Sequence, residues 1–145
     1  MKKTIAIASD HAGYTLKELV KTFLKKNGYL VKDYGANSED RVDYPDYVHP
    51  LAVAIESGKH TSGIVICGSG NGVSITANKH QGIRSALSWT PEIARLARAH
   101  NDANVLALPA RFIDEEAAME AVLVFLNTNF EGGRHIERVN KICIQ

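Results

Sequence analysis

Cysteine is scarce in this chain: Cys67 and Cys143 are the only two among 145 residues. With no C-x-x-C pair between them, a disulfide framework is not expected and a reducing compartment fits better. Charge of one sign is also lacking. The 17 Lys plus Arg stand against 16 Asp plus Glu, a formal charge of +1, without the basic excess or stripe of a dedicated nucleic-acid or polyanion binder. Long apolar runs are missing too. The stretch Ile5–Ala8, which follows Met1-Lys2-Lys3, is broken by Ser9-Asp10-His11, far short of a signal-peptide core or a membrane span. A cytoplasmic protein with neither membrane nor nucleic-acid partners is expected. What remains, 45% hydrophobic and 23% charged residues, is the composition of one ordinary domain over residues 1–145. A chain of this length buries roughly two-thirds of the surface its unfolded form exposes, so its core needs no disulfide or structural metal.

The hydrophobic pattern alternates between two periods. Short apolar runs predict strands over Thr4–Ala8, Tyr29–Val31, Gly63–Cys67, about Arg84–Leu87 and Asn104–Leu108. Between them apolar residues recur at helical spacing. Leu16, Leu19, Val20, Phe23 and Leu24 lead to Gly28; Val48, Leu51, Ala52 and Ile55 follow a first-turn Pro45 and lead to Gly58. Val73 to Asn78 form a short helix, Thr90-Pro91 starts one through Ile93, Leu96 and Ala97 to His100, and Asp114 caps one carrying Ala118, Ala121, Val122, Phe125 and Leu126. A basic segment follows Gly132-Gly133. Five βα units with near-continuous apolar strands imply an α/β fold, a three-layer α/β/α sandwich of Rossmann-like type around a five-stranded parallel sheet. The strand order stays open at this stage.

Ligands of such sheets bind beyond the carboxyl ends of the strands, which directs attention to Asp10-His11 after the first strand, Cys67 after the third, and His100-Asn101 ending the helix after the fourth. The most informative passage is Gly68-Ser69-Gly70-Asn71-Gly72, between a buried strand and a helix. Glycines at alternate positions let backbone N–H groups converge on an anion at the positive end of the helix. No Gly-Lys-Ser/Thr follows, and Val73 occupies the last glycine place of G-x-G-x-x-G, so neither a Walker loop nor a dinucleotide fingerprint is present. The bland reading is a tight turn that uses glycine for its conformation alone. Cys67 adjoins the loop, where N–H groups would favour a thiolate; the phosphatase arginine six positions on is absent, and a buried apolar cysteine is the plain alternative.

None of the six histidines pairs with another at i, i+4 alongside a third ligand, so metal catalysis is not indicated. Asp10 could hold a sugar hydroxyl and His11 could move protons. For His100 the plain alternative is a helix-end histidine favoured by the dipole. Arg134 and Arg138, four apart, would share a helix face with Ile136 and Val139 turned away, a pair of guanidinium forks able to grip a phosphate or simply to face water.

Taken in order, Ser9-Asp10-His11-Ala12-Gly13, Asp43-Tyr44-Pro45, Ile66-Cys67-Gly68-Ser69-Gly70-Asn71-Gly72, Ala77-Asn78-Lys79, Gly82-Ile83-Arg84, His100 to Leu106 and Glu131-Gly132-Gly133-Arg134-His135 with Arg138 resemble the type B ribose-5-phosphate isomerases and their allose- and galactose-6-phosphate relatives, over nearly the whole chain. The resemblance implies a metal-free, cofactor-free aldose–ketose isomerisation through an enediolate. It makes Cys67 the base, since Val73 fills the place where other members carry a glutamate. It gives the N–H groups of Gly68, Ser69, Gly70, Asn71 and Gly72 the enediolate oxygen, Ser69 the substrate oxygens, His100 the ring opening and Asp10 the hydroxyl. His11, Arg111, Arg134 and Arg138 would bind the phosphate, while Asn101 and Tyr44 would line the sugar. It also implies a homodimer or a dimer of dimers with sites shared between subunits, and activity that survives a chelator. A hexose 6-phosphate substrate, a non-catalytic phosphosugar-binding module and, against the missing fingerprint, a nicotinamide-dependent oxidoreductase are the competing readings.

Overall fold

The computed structural model describes residues 3–144. Strands β1 (Thr4–Ser9), β2 (Leu30–Asp33), β3 (Gly63–Cys67), β4 (Ser85–Leu87) and β5 (Val105–Pro109) alternate with helices α1 (Tyr14–Lys26), α2 (Pro45–Glu56), α3 (Asn71–Asn78), α4 (Pro91–Asn101) and α5 (Glu115–Asn127), and a short α6 (His135–Asn140) follows. All neighbouring strands pair in parallel, in the order β2-β1-β3-β5-β4. The α/β sandwich expected from the alternation is the one observed.

Period-2 alternation inside fully buried strands explains the two-sided core. Ile5, Ile7, Ile64, Ile66, Leu106 and Leu108 face Val20 and Leu24 of α1 and Val122 and Phe125 of α5. Ala6, Ala8, Val65, Val105 and Ala107 face Val48 and Leu51 of α2 and Val73 and Ala77 of α3. Local signals set the helix starts: the Thr90 hydroxyl accepts from the Ile93 N–H at 3.2 Å and the Asp114 carboxylate from the Ala117 N–H at 2.8 Å, while Pro45 and Pro91 sit in first turns.

Two expectations about helix faces need correction. In α1 the predicted stripe residue Leu19 is 36% exposed, whereas Lys17 is fully buried. The reason is tertiary: Asp33 at the end of β2 meets the Lys17 ammonium at 2.7 Å and the Lys21 ammonium at 2.7 Å, so the lysine stem packs inward. In α6, Arg134 is the N-cap rather than a helical residue, and the buried side chain is His135; Ile136 is 49% exposed.

Chain direction divides the molecule into two ends. Because α4 runs back against the strands, its C-terminus lies at the amino edge of the sheet, where the Arg84 guanidinium donates to the Asn101 carbonyl at 3.1 Å and the Asn104 N–H to the Arg84 carbonyl at 3.0 Å. The carboxyl end of β3 is a full strand away, about 16 Å at 3.3 Å per residue.

Candidate functional site

Strand order reverses between β1 and β3: the chain leaves β1 toward β2 on one side and returns to β3 on the other. That reversal opens a crevice at the carboxyl edge. A cavity of about 400 Å³ lies there, lined by Asp10, His11, Ala12, Tyr44, Cys67, Gly68, Ser69, Gly72, Arg111 and Phe112, within the size range of small-metabolite sites.

Its floor is the glycine loop. Gly70 caps α3 with φ +74°, a left-handed conformation, and a Cβ there would lie 2.4 Å from the Leu87 side chain. Gly72 is required for a different reason: its Cβ would fall 2.4 Å from the Tyr44 ring. Among the described residues, the amide N–H groups of Gly68, Ser69, Gly70 and Gly72 meet no protein acceptor, while the Asn71 N–H is held by the Ser69 hydroxyl at 3.3 Å. Unused donors at the start of a helix form an anion cradle. Cys67, 5% exposed, joins β3 to this cradle, and its carbonyl accepts from the Ala110 N–H at 2.9 Å. Arg111 crosses the loop, its N–H donating to the Gly68 carbonyl at 2.9 Å and its guanidinium lying 3.2 Å from the position of a Gly68 Cβ.

The β1 side supplies two polar groups in fixed orientations. Asp10 is buried, with Oδ1 accepting from the Gly13 N–H at 3.0 Å. His11 Nδ1 accepts from the Val42 N–H at 3.2 Å; in the neutral ring the proton is therefore on Nε2, which is left to donate.

The remaining predicted residues are elsewhere. His100 and Asn101 end α4 at the amino edge, not beside the carboxyl ends of the strands where they were expected, because α4 runs back against the strands. Asn101 borders a separate groove of about 520 Å³, together with Asn78–Ala86 and Ile142–Ile144. Arg134 and Arg138 are exposed on and beside α6, where one Arg138 nitrogen donates to the Arg134 carbonyl at 3.3 Å.

Beside them is a group that the spacing of the histidines does not reveal. His100 Nε2 and His135 Nε2 lie 3.8 and 3.6 Å from the same Glu131 oxygen, and the two rings stack with centroids 4.3 Å apart. Their ligand atoms all lie within 4.8 Å of one another, so a potential metal-ligand set exists where none was expected. The only sequence signal is the i, i+4 spacing of a Glu–His pair; the third member comes from another helix. Burial, then the charges of His100 and Arg134, hold the His135 imidazole below its ordinary value, which leaves it neutral near pH 7.

Fold and cradle together define an α/β protein with a cradle of backbone N–H groups, suited to an anion, at the carboxyl edge of a parallel sheet. The chain belongs to the ribose/galactose isomerase family, whose model matches residues 5–142. It is 44% identical over 140 residues to ribose-5-phosphate isomerase B of Escherichia coli, covering 97% of this chain and 94% of that protein. A solved Thermotoga maritima ribose 5-phosphate isomerase superposes with a TM-score of 0.95 at 51% identity, covering 98% of each chain. The Mycoplasma genitalium ribose-5-phosphate isomerase B, solved with bound ribulose-5-phosphate, superposes at 0.92 with 42% identity, over 98% of this chain and 95% of that one.

Proposed function

We propose that this chain, acting as one domain over residues 1–145, interconverts ribose 5-phosphate and ribulose 5-phosphate through an enediolate, in a site completed by a second copy. The observation that carries the proposal is the Cys67 thiol at the edge of a cradle of unpartnered N–H groups, in a pocket that also holds Asp10 and His11. The family membership and the ribulose-5-phosphate bound to the Mycoplasma genitalium relative support the substrate pair.

In this reading Cys67, as thiolate, takes the C2 proton of the open-chain aldose and returns it to C1. The charge that develops on the enediolate oxygen meets the N–H groups of the Gly68–Gly72 loop, those of Gly68, Ser69, Gly70 and Gly72 directly and that of Asn71 once it leaves the Ser69 hydroxyl. Such preorganised donors contribute about 3 kcal/mol each when aimed at the developing charge. Ser69 hydrogen-bonds the substrate oxygens, Asp10 holds a hydroxyl, and Tyr44 packs along the sugar. His11 donates through Nε2 to the phosphate, beside Arg111.

Ring opening needs a proton donor, and His100 is a strand's length from its own Cys67. We therefore assign His100, Asn101, Arg134 and Arg138 to the site of a partner copy. Exposed apolar residues support such an interface: Trp89 and Phe112, which follow β4 and β5 at the carboxyl edge, are 54% and 73% exposed, and Ile75 on α3 is 60% exposed.

The test follows ribose 5-phosphate conversion by the wild type and Cys67→Ala, with ligand binding measured on both. Turnover by the wild type, and binding with turnover reduced by about 100- to 10,000-fold in the variant, support the proposal. Binding without conversion by the wild type directs the assay to allose 6-phosphate and galactose 6-phosphate, and inactivity there points to a binding module.

A further inference from the structure

We infer that His100, Glu131 and His135 form a binding site for one divalent transition ion of zinc type, and that the ion, by occupying the His100 nitrogen, switches the isomerase off. The inhibitory half rests on the role proposed above for His100; the binding half does not.

Three observations carry the site. The first is distance. Contacts of 3.6 and 3.8 Å from the two imidazole nitrogens to one carboxylate oxygen are too long for hydrogen bonds. They are close to the roughly 3.3 Å that separates two ligand atoms each ~2.0–2.1 Å from a tetrahedral ion. The second is construction. The Glu131 N–H donates to the Ala99 carbonyl at 2.9 Å, which fixes Glu131 next to His100. Gly132 and Gly133, at φ +69° and +55°, then turn the chain so that His135 stacks on His100. The third is access and donor type. His135 is buried while the His100 and Glu131 side chains are 35% and 55% exposed, which leaves an open side for a water or a substrate oxygen. Two imidazole nitrogens and a carboxylate oxygen suit zinc, cobalt, nickel or copper better than magnesium or calcium, which prefer oxygen.

Binding requires the rings, now stacked at 15° to each other, to turn out of that stack so that their in-plane nitrogen lone pairs converge on one ion. The ion would then take the lone pair with which His100 handles its proton. Inhibition is the consequence, and sugar phosphate and metal should compete.

Cobalt(II) is the probe. It is titrated into the untagged, chelator-treated full chain, read by visible absorption and calorimetry, and Zn(II) inhibition is measured in parallel. One ion per chain with nitrogen/oxygen-type bands is expected. Since losing even an outer partner of a metal site weakens binding by about 10–100-fold, Glu131→Gln and His135→Gln should each weaken it by at least that much. His80→Gln, which alters the separate His49–His80 contact at 2.7 Å, should leave it unchanged. No binding, binding that survives His135→Gln in a folded protein, or thiolate charge-transfer bands from cysteine would overturn the site. Binding without competition by ribose 5-phosphate would overturn the inhibitory half alone. If the wild type proves inactive on every sugar phosphate, the functional proposal falls and the spectroscopic result still decides the metal site.

Discussion

Mixing two inactive variants tests the shared site most directly. Cys67 lies at the carboxyl end of β3 and His100 at the amino edge of the sheet, about 16 Å apart along a five-residue strand. Proton transfer needs an approach of about 3 Å. No rotamer closes that gap, so the proposed site combines Cys67 of one copy with His100 of another. Cys67→Ala and His100→Asn should each be nearly inactive as pure proteins. In a two-fold dimer, random reassociation of an equal mixture makes half of the dimers mixed, and each mixed dimer carries one site with both native residues and one with neither. Activity should therefore recover to roughly a quarter of the wild-type value per chain. The assay is ribose 5-phosphate turnover after mild denaturation and refolding of the mixture, with native mass spectrometry to verify mixed dimers. Mixed dimers without recovered activity would refute the reasoning.

Other expectations follow from single contacts. Gly72→Ala gains about 0.8–1 kcal/mol of helix propensity, but its methyl would lie 2.4 Å from the Tyr44 ring. Tyr44 must turn aside, so thermal stability should change little while kcat/KM falls by about tenfold or more. Arg138→Ala removes an exposed cation that the proposal assigns to the phosphate; KM should rise at unchanged melting temperature, and an unchanged KM would count against the assignment. Burial pushes the Asp33 carboxyl up, but hydrogen bonds from Lys17, Lys21 and the Gly35 N–H outweigh it and hold the group below the ordinary carboxylate value. Its stabilisation is then complete above the ordinary carboxylate range and is lost as pH falls through the lower folded value. Asp33→Asn should cost about 3 kcal/mol at neutral pH and flatten the acid limb of the melting-temperature profile; equal slopes for both proteins would refute this. Turnover in excess EDTA should equal or exceed that in untreated buffer, because the metal proposed here blocks His100, and loss of activity would reverse that sign.

Much of the scaffold is local in origin and was readable from the residues. Buried strands such as Gly63–Cys67, the Thr90 and Asp114 caps, the first-turn prolines and the glycine loop announce themselves through short-range sterics and hydrogen bonding. A few neighbouring residues decide each of them. The stripes of α2 and α5 were legible for the same reason, since a helix that covers a sheet needs only its own period. Lys17 was not legible, because its burial depends on Asp33, an acid sixteen residues away on another element.

Only the tertiary structure decided what meets what. The order β2-β1-β3-β5-β4 is set by long-range packing of strands that look alike in sequence, and it brings Asp10 and His11 against the Cys67 loop. Chain direction, which adds up over whole elements, carries His100 to the opposite edge. There the return of the chain after α5 stacks His135 on it and turns three scattered polar residues into one group. The sequence by itself determined the strands, the helices and the glycine loop; the fold, through parallel crossovers that place strand ends and helix ends at opposite edges, determined that Cys67 and His100 lie at opposite ends of the sheet.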